Sequence, residues 1–252
     1  MPIPHTTNIF EKSTCSFSSV STTFSAARSI DERRVKILET AEKLFYSKGY
    51  EETSIQDILD DLKMSKGGFY HHFESKLQLL DALCQGQMQQ NGELMRMAVE
   101  KNKGNAVAQL NALYERCTLW QEGQAEFTYL VLKTAYLGGS VQLKDSLRQA
   151  MLADARPLIR AIIHEGIEQK QFFTRYPDDI GELLLQLFAN VNDEIAMLLA
   201  KEEKNCLSAI LNLLMTYRHA AEMLTGAPYG SLVLYDLNRF PAIIEAIARQ
   251  KG

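Results

Sequence analysis

Along most of the chain, apolar positions recur every three or four residues, the spacing that gathers them on one face of an α-helix. The repeat first emerges at Ile37, Leu38, Ala41, Leu44 and Phe45. It predicts a helix opened by the pair Ser29 and Glu32 and stopped by Gly49. Ile55, Ile58, Leu59 and Leu62 stand at i, i+3, i+4 and i+7 and predict a short second helix, opened by a capping box of Thr53 and Gln56. Lys63 and Met64 leave room only for a tight turn. Ser65 then caps a third helix, on which Phe69 and Phe73 point back into the same core. Two short helices joined so closely form a helix-turn-helix. Tyr50, just after the glycine stop, reads as a core plug in preference to a phosphate contact.

The pattern continues as helices to the end. Ser75 with Gln78 opens one that runs to about Lys101 on Leu79, Leu80, Leu83, Met88, Leu94, Met95 and Ala98. A turn at 103–105 precedes helices over 106–121 and 124–137, the latter stopped by Gly138 and Gly139. A helical stretch over 141–169 should be kinked or divided at Pro157, which removes a backbone hydrogen bond. Pro177 with Asp178 and Asp179 starts a helix to about Lys201. Its apolar positions Ile180, Leu183, Leu184, Leu187, Phe188, Val191, Ile195, Leu198 and Leu199 make a face wide enough for two contacts. A partner helix runs from about Asn205 to Leu224, and Phe240 to Arg249 forms a last short one. No stretch alternates long enough to nominate a strand, so the fold is read as all-α. Residues 29–76 form the helix-turn-helix unit, and 77–252 form a helical bundle.

Composition adds limits. With 252 residues and 46% hydrophobic content the chain can bury a large core. Its formal charge of −4 means that any nucleic-acid contact must come from a local patch, since even residues 28–76 carry ten carboxylates against nine cations. Residues 1–28 are rich in Ser and Thr with no helical period, the mark of a disordered tail; a translation start assigned too far upstream would leave the same composition. An arm reaching DNA through Arg28 is the weaker alternative. Cys15, Cys84, Cys117 and Cys206 are far apart and read as free thiols in a reducing cytoplasm. No run reaches the length of continuous apolar sequence that a membrane span needs, and no secretory signal is apparent. A cytoplasmic protein without membrane contact is expected. His71 and His72 diverge on a helix and do not chelate one metal together, and His164 and His219 stand alone. There is no P-loop, no zinc-ligand spacing and no Gly-x-Ser-x-Gly elbow. The paired carboxylates Asp60-Asp61 and Asp178-Asp179 suit solvated helix ends. No cofactor, no metal and no catalytic constellation are expected.

The outward face of the third helix departs from simple helical economy. Gly67 and Gly68 each cost about 1 kcal/mol relative to Ala, a local conflict of the kind that marks function, because a bare backbone can approach another surface. Lys66, Tyr70 and His71 supply a cation and hydrogen-bonding groups. Lys76, beside the positive end of a helix dipole, makes sense if an anion binds there. Taken together, Thr53, Ile58, Ser65, Lys66, Gly67, Phe69, Tyr70, Phe73, Lys76 and Leu79 resemble the DNA-binding signature of the tetracycline-repressor (TetR) family of bacterial transcription regulators. The resemblance spans about a fifth of the chain. Leu59 and Leu62 stand where that family usually has Ala, Lys63 where it has Gly, and Gly68 where it has Ser or Thr.

The resemblance implies a homodimeric, sequence-specific regulator of transcription, usually a repressor, released from a near-palindromic double-stranded DNA operator by a small-molecule inducer. Two reading helices would enter successive major grooves roughly 34 Å apart. Of the residues Thr53, Ser65, Lys66, Gly67, Gly68, Tyr70, His71 and Lys76, the Lys66 side chain and the glycine backbone would approach bases. Thr53, Tyr70 and Lys76 would anchor phosphates, and His71 would do either. Dimerisation is expected through Asp178–Lys201 and Asn205–Leu224, with Leu184, Leu187, Val191, Ile195, Leu207, Leu211 and Leu214 at the interface. Met88, Met95, Tyr114, Trp120, Phe127, Tyr136 and Phe172 read individually as core, and collectively as the lining of an inducer cavity. Two further readings stay open: a DNA-binding architectural protein without an inducer, and a helical enzyme.

Overall fold

The computed structural model describes residues 32–118, 123–201, 206–235 and 240–249. Segment 1–28, the expected cap at Ser29, Cys15 and Trp120 lie outside the described residues. Helix α1 (Glu32–Lys48) buries Ile37, Leu38, Ala41 and Phe45. It packs on α2 (Ile55–Leu62), which is followed by the single short turn of α3 (Lys66–Tyr70) and by the long α4 (Lys76–Lys101). Phe69, Phe73, Ile58 and Leu79 are all essentially inaccessible and weld these four elements into one core. Burying each such side chain contributes about 2 kcal/mol.

Helix α2 begins one residue later than the sequence suggests. Its cap is Ser54, whose hydroxyl accepts from the Asp57 backbone N–H while the Asp57 carboxylate accepts from the Ser54 N–H. Both Thr53–Gln56 and Ser54–Asp57 fit a capping spacing, and the core decides between them, because Thr53 is drawn fully inside. The turn after α2 places Lys63 at φ 50°, a left-handed conformation with its N–H on the last carbonyls of the helix.

Beyond α4 come α5 (Ala106–Arg116), α6 (Ala125–Val131), α7 (Val141–Glu168), α8 (Pro177–Lys201), α9 (Cys206–Thr225) and α10 (Phe240–Arg249). The described residues contain no strand. Helix α4 packs along α5 and α7, α7 along α8, and α8 along α9. The buried core is continuous from Ile37 to Ile247.

Three expectations are corrected. Pro157 does not divide α7, which runs unbroken from Val141 to Glu168, since the flanking turns bury Leu152, Ala155, Ile159, Ile162 and Ile163 and carry the helix past the missing N–H. The helix over 124–137 is α-helical only to Val131. It then widens into a π-helix, Leu132–Leu137, closed by the Gly138 N–H on the Lys133 carbonyl. Helix α5 ends at Arg116, short of the expected 121.

The π-helical end is tied down by Asp193, which accepts from the Tyr136 hydroxyl at 2.7 Å and pairs with Arg148 at 3.1 Å. At the far end of α7, Phe172 folds back against Gly166, where any side chain would overlap its ring. Helix α8 is long and apolar enough to cross a bilayer, yet half of its apolar stretch is buried against neighbouring helices.

Candidate nucleic-acid interface

Helix α3 is anchored from below and bare above. Ser65 caps it, its hydroxyl accepting from the Gly68 N–H at 3.2 Å, and Phe69 with Phe73 roots it in the core. Arg34 on α1 holds its far end, donating to the His72 carbonyl at 3.0 Å with its guanidinium 4.3 Å over the Phe73 ring. The exposed side presents Lys66, Gly67, Tyr70 and His71. A side chain at Gly67 would meet no protein atom within 4 Å, so the gap it leaves is open to solvent. Gly68 is closer to Met64, 3.3 Å from where a Cβ would stand. Tyr70 is 51% exposed, its ring edge-on to Phe69. The structure therefore brings Ser65, Lys66, Gly67, Gly68, Tyr70 and His71 onto one short, rigidly mounted element.

Thr53 and Lys76 are corrected as direct phosphate contacts. Thr53 is fully buried and donates its hydroxyl to the Gly49 carbonyl at 2.7 Å. Lys76 turns its ammonium inward, onto the carbonyls of Tyr50, Thr53 and Glu51 at 2.7, 2.9 and 3.3 Å, and over the Tyr50 ring at 4.3 Å. Its three N–H donors are thereby used within the protein. Carbonyls of the loop before α2 satisfy the cation at this helix start, so no external anion is required there. Tyr50 packs edge-on against Phe45 at 5.1 Å, as the core-plug reading expects.

The expected cavity residues do not converge. Met88 and Met95 share a narrow crevice with Met151 and Asp154, Tyr114 packs on Phe188, Phe172 folds against Gly166, Phe127 is buried, and Tyr136 is held by Asp193. Packing claims them because each lies on an inward stripe. Around Tyr114, however, gathers a set that the residue pattern did not reveal. Tyr114 packs on Phe188 at 4.6 Å, its hydroxyl lies 2.8 Å from that of Tyr217, and Tyr217 donates to the Leu184 carbonyl at 2.9 Å. Tyr235 stacks on Phe188 and donates to Asn192, which Thr118 also reaches. Burial pushes the Tyr217 and Tyr235 phenols well above their ordinary range. A buried Asn192 in the apolar run of α8 is the signal that could have found it.

The expected interface residues also divide. Leu184, Ile195 and Leu214 are buried in their own subunit, because α8 and α9 each spend one face on the core. Leu187, Val191, Leu207 and Leu211 remain partly exposed, beside Leu183 at 47% and Met215 at 50%. Among the described residues, no group of acidic, histidine and cysteine side chains is arranged to hold a metal ion.

Residues 37–83 match the family described as bacterial regulatory proteins, tetR family. An uncharacterized HTH-type transcriptional regulator of Bacillus subtilis, YuxN, is 53% identical over 49 residues, covering 19% of this chain and 17% of the relative. The HTH-type transcriptional repressor KstR2 of Mycobacterium tuberculosis is 37% identical over 60 residues, 24% of this chain and 30% of the relative. The matched stretch thus spans less than a third of either relative's length. The crystal structure of a TetR-family transcriptional regulator from Pectobacterium atrosepticum aligns with 79% of this chain and 96% of its own, with a TM-score of 0.57 and 23% identity, a likeness of fold.

Proposed function

We propose, from the premise that the chain belongs through residues 37–83 to the tetR family of bacterial regulatory proteins, that it is a homodimeric, sequence-specific DNA-binding regulator of transcription acting in the cytoplasm. The observation that carries the reading is α3 itself, whose open Gly67 notch is flanked by Lys66, Tyr70 and His71 on a helix rooted by Phe69 and Phe73. Lys66 and the Gly67-Gly68 backbone meet base edges, while Tyr70, His71 and the Ser65 cap meet phosphates. Thr53 and Lys76 act from behind, by fixing the loop that leads into α2.

A second copy joins through the outward stripe of α8 and α9, Leu183, Leu187, Leu207, Leu211 and Met215, exposed or half-buried apolar positions at helical spacing. Two α3 helices then address two half-sites of a near-palindrome. The repressor KstR2 is a relative by its helix-turn-helix segment, and repression is the sense of regulation proposed. A small-molecule inducer would enter at the buried cluster of Tyr114, Asn192, Tyr217 and Tyr235, whose ring and hydroxyl contacts close on one another and must part to admit it. Tyr114 lies on α5, which packs along α4, so repacking there moves α4 and lowers the population of the operator-competent state.

The test is selection of binding sites from a random duplex pool by the full chain, followed by fluorescence anisotropy on the selected and a scrambled duplex. Preference for the selected duplex by about a hundredfold or more is expected. Lys66→Ala should flatten the dependence of log K on log salt by about one unit for each phosphate it leaves unneutralised, or weaken the selected duplex alone if Lys66 reads a base. Equal affinity for both duplexes would favour the architectural reading instead.

A further inference from the structure

A cleft of about 390 Å³ opens where the end of α1 faces α6 and its π-helical continuation. Its walls are Phe45, Tyr46, Tyr50, Tyr129 and Leu130, and its rim carries Glu51, Glu52 and Glu126 against Lys48 and Lys133. Lys48 is committed to Asp57 at 2.9 Å, which leaves the rim negative. The carboxyl end of α1 adds the negative end of a helix dipole. Lys76 already covers the Tyr50 ring at 4.3 Å and Lys133 stands 5.7 Å from that of Tyr129, so Tyr46 and Tyr129, more than Tyr50, are the rings offered to a ligand. The wall on the α6 side is where the helix widens to π, through Lys133 and Thr134, a departure from regular geometry that often accompanies a binding function.

We infer that this cleft binds a small organic cation, a quaternary or protonated amine on an apolar body, between the DNA-reading unit and the rest of the chain. Tyrosine faces and carboxylates recognise such a group together, the rings by their quadrupole and the acids by charge. The volume suits one drug-sized molecule. A neutral ligand of the same shape gains nothing from the rim's charge, and an anionic one meets three carboxylates against Lys133. Glu42 stands behind Tyr46, bonded to its phenol, with Glu39 on the same helix and Glu126 across the cleft facing it, and Cys84 of α4 beside Tyr46. Burial first, then these carboxylates, push the Glu42 carboxyl up to about 7. A bound cation favours its ionised form, so affinity rises with pH through neutrality.

The test uses the full chain and calorimetric titration with (4-phenylbutyl)trimethylammonium, 4-phenylbutanol and 4-phenylbutyrate. The expected result is one saturable site for the ammonium, at least tenfold tighter than for the alcohol, no binding of the carboxylate, and severalfold tighter binding at pH 8 than at pH 6. Glu126→Gln and Tyr129→Ala should each weaken the ammonium at least fivefold with unchanged circular dichroism, while Tyr229→Phe, an exposed tyrosine that does not line the cleft, leaves it alone. Absence of saturation, equal affinity for the alcohol, or indifference to both cleft variants overturns the inference. The readout does not pass through DNA, so its failure is separate from failure of the regulatory reading.

Discussion

Two lysines of the reading unit look alike in the sequence and behave oppositely in the structure. Lys66 is exposed, whereas the ammonium of Lys76 is spent on three carbonyls. Lys76→Met should therefore lower stability by about 1 kcal/mol, since it removes the donor to two part-buried carbonyls, and should weaken DNA binding without changing the salt slope. Denaturant melts and anisotropy at several salt concentrations check both parts. Gly67→Ala separates folding from recognition. A methyl there meets no protein atom within 4 Å, so helix propensity alone acts and stability should rise by about 0.5–1 kcal/mol. DNA affinity should fall tenfold or more if backbone and duplex touch at that point, and unchanged affinity would remove Gly67 from the interface. Glu42 makes a pH prediction. Its folded carboxyl is raised from 4.5 to about 7, so the folded state holds a proton that the unfolded state has lost, and stability declines as pH rises from about 4.5 to about 7. Glu42→Gln should raise stability at pH 8 by roughly 1 kcal/mol, after allowance for its partial exposure, and change little at pH 4. Thermal melts at the two pH values decide it.

At the scale of elements, most of the helices were legible because their apolar stripes are long and their stops are glycine or proline. The α4 cap at Ser75, the turn at 103–105 and the start at Pro177 all stand where the sequence points. What was not legible is whatever depends on residues distant in the chain. Choosing Ser54 over Thr53 required knowing that Thr53 is pulled under α1, and the survival of α7 across Pro157 required knowing what its flanks bury. The shift from α to π at Leu132 leaves no mark in residue periodicity over so short a run. The outward face of α3 could be read because glycine, lysine and tyrosine there serve no core. The Tyr114 cluster could not, because aromatic residues on inward stripes look the same whether they fill a core or line a site. Phe172 and Gly166 give an element-scale test of such packing. Gly166→Ala should cost about 1–3 kcal/mol, as overpacking forces the Phe172 ring and the 170–176 connector away from α7. Chemical denaturation reads the loss, and Gly104→Ala is not a fair control, since its φ of 88° strains any side chain.

For the whole molecule, the outward apolar stripe makes the assembly testable. Leu183→Glu with Met215→Glu should give a folded monomer by light scattering and reduce operator affinity by two orders of magnitude or more, because one reading unit then binds without its partner. Leu184→Glu, by contrast, should unfold the chain, since that side chain is wholly inside its own subunit. The difference between adjacent leucines distinguishes a surface from a core without any appeal to relatives. Inside the subunit, the Lys76 ammonium joins the loop before α2 to the first turn of α4 by three bonds at once. Movement of the long rod would then be carried into that loop, and Lys76→Met should raise amide exchange over 50–53 before it does so elsewhere.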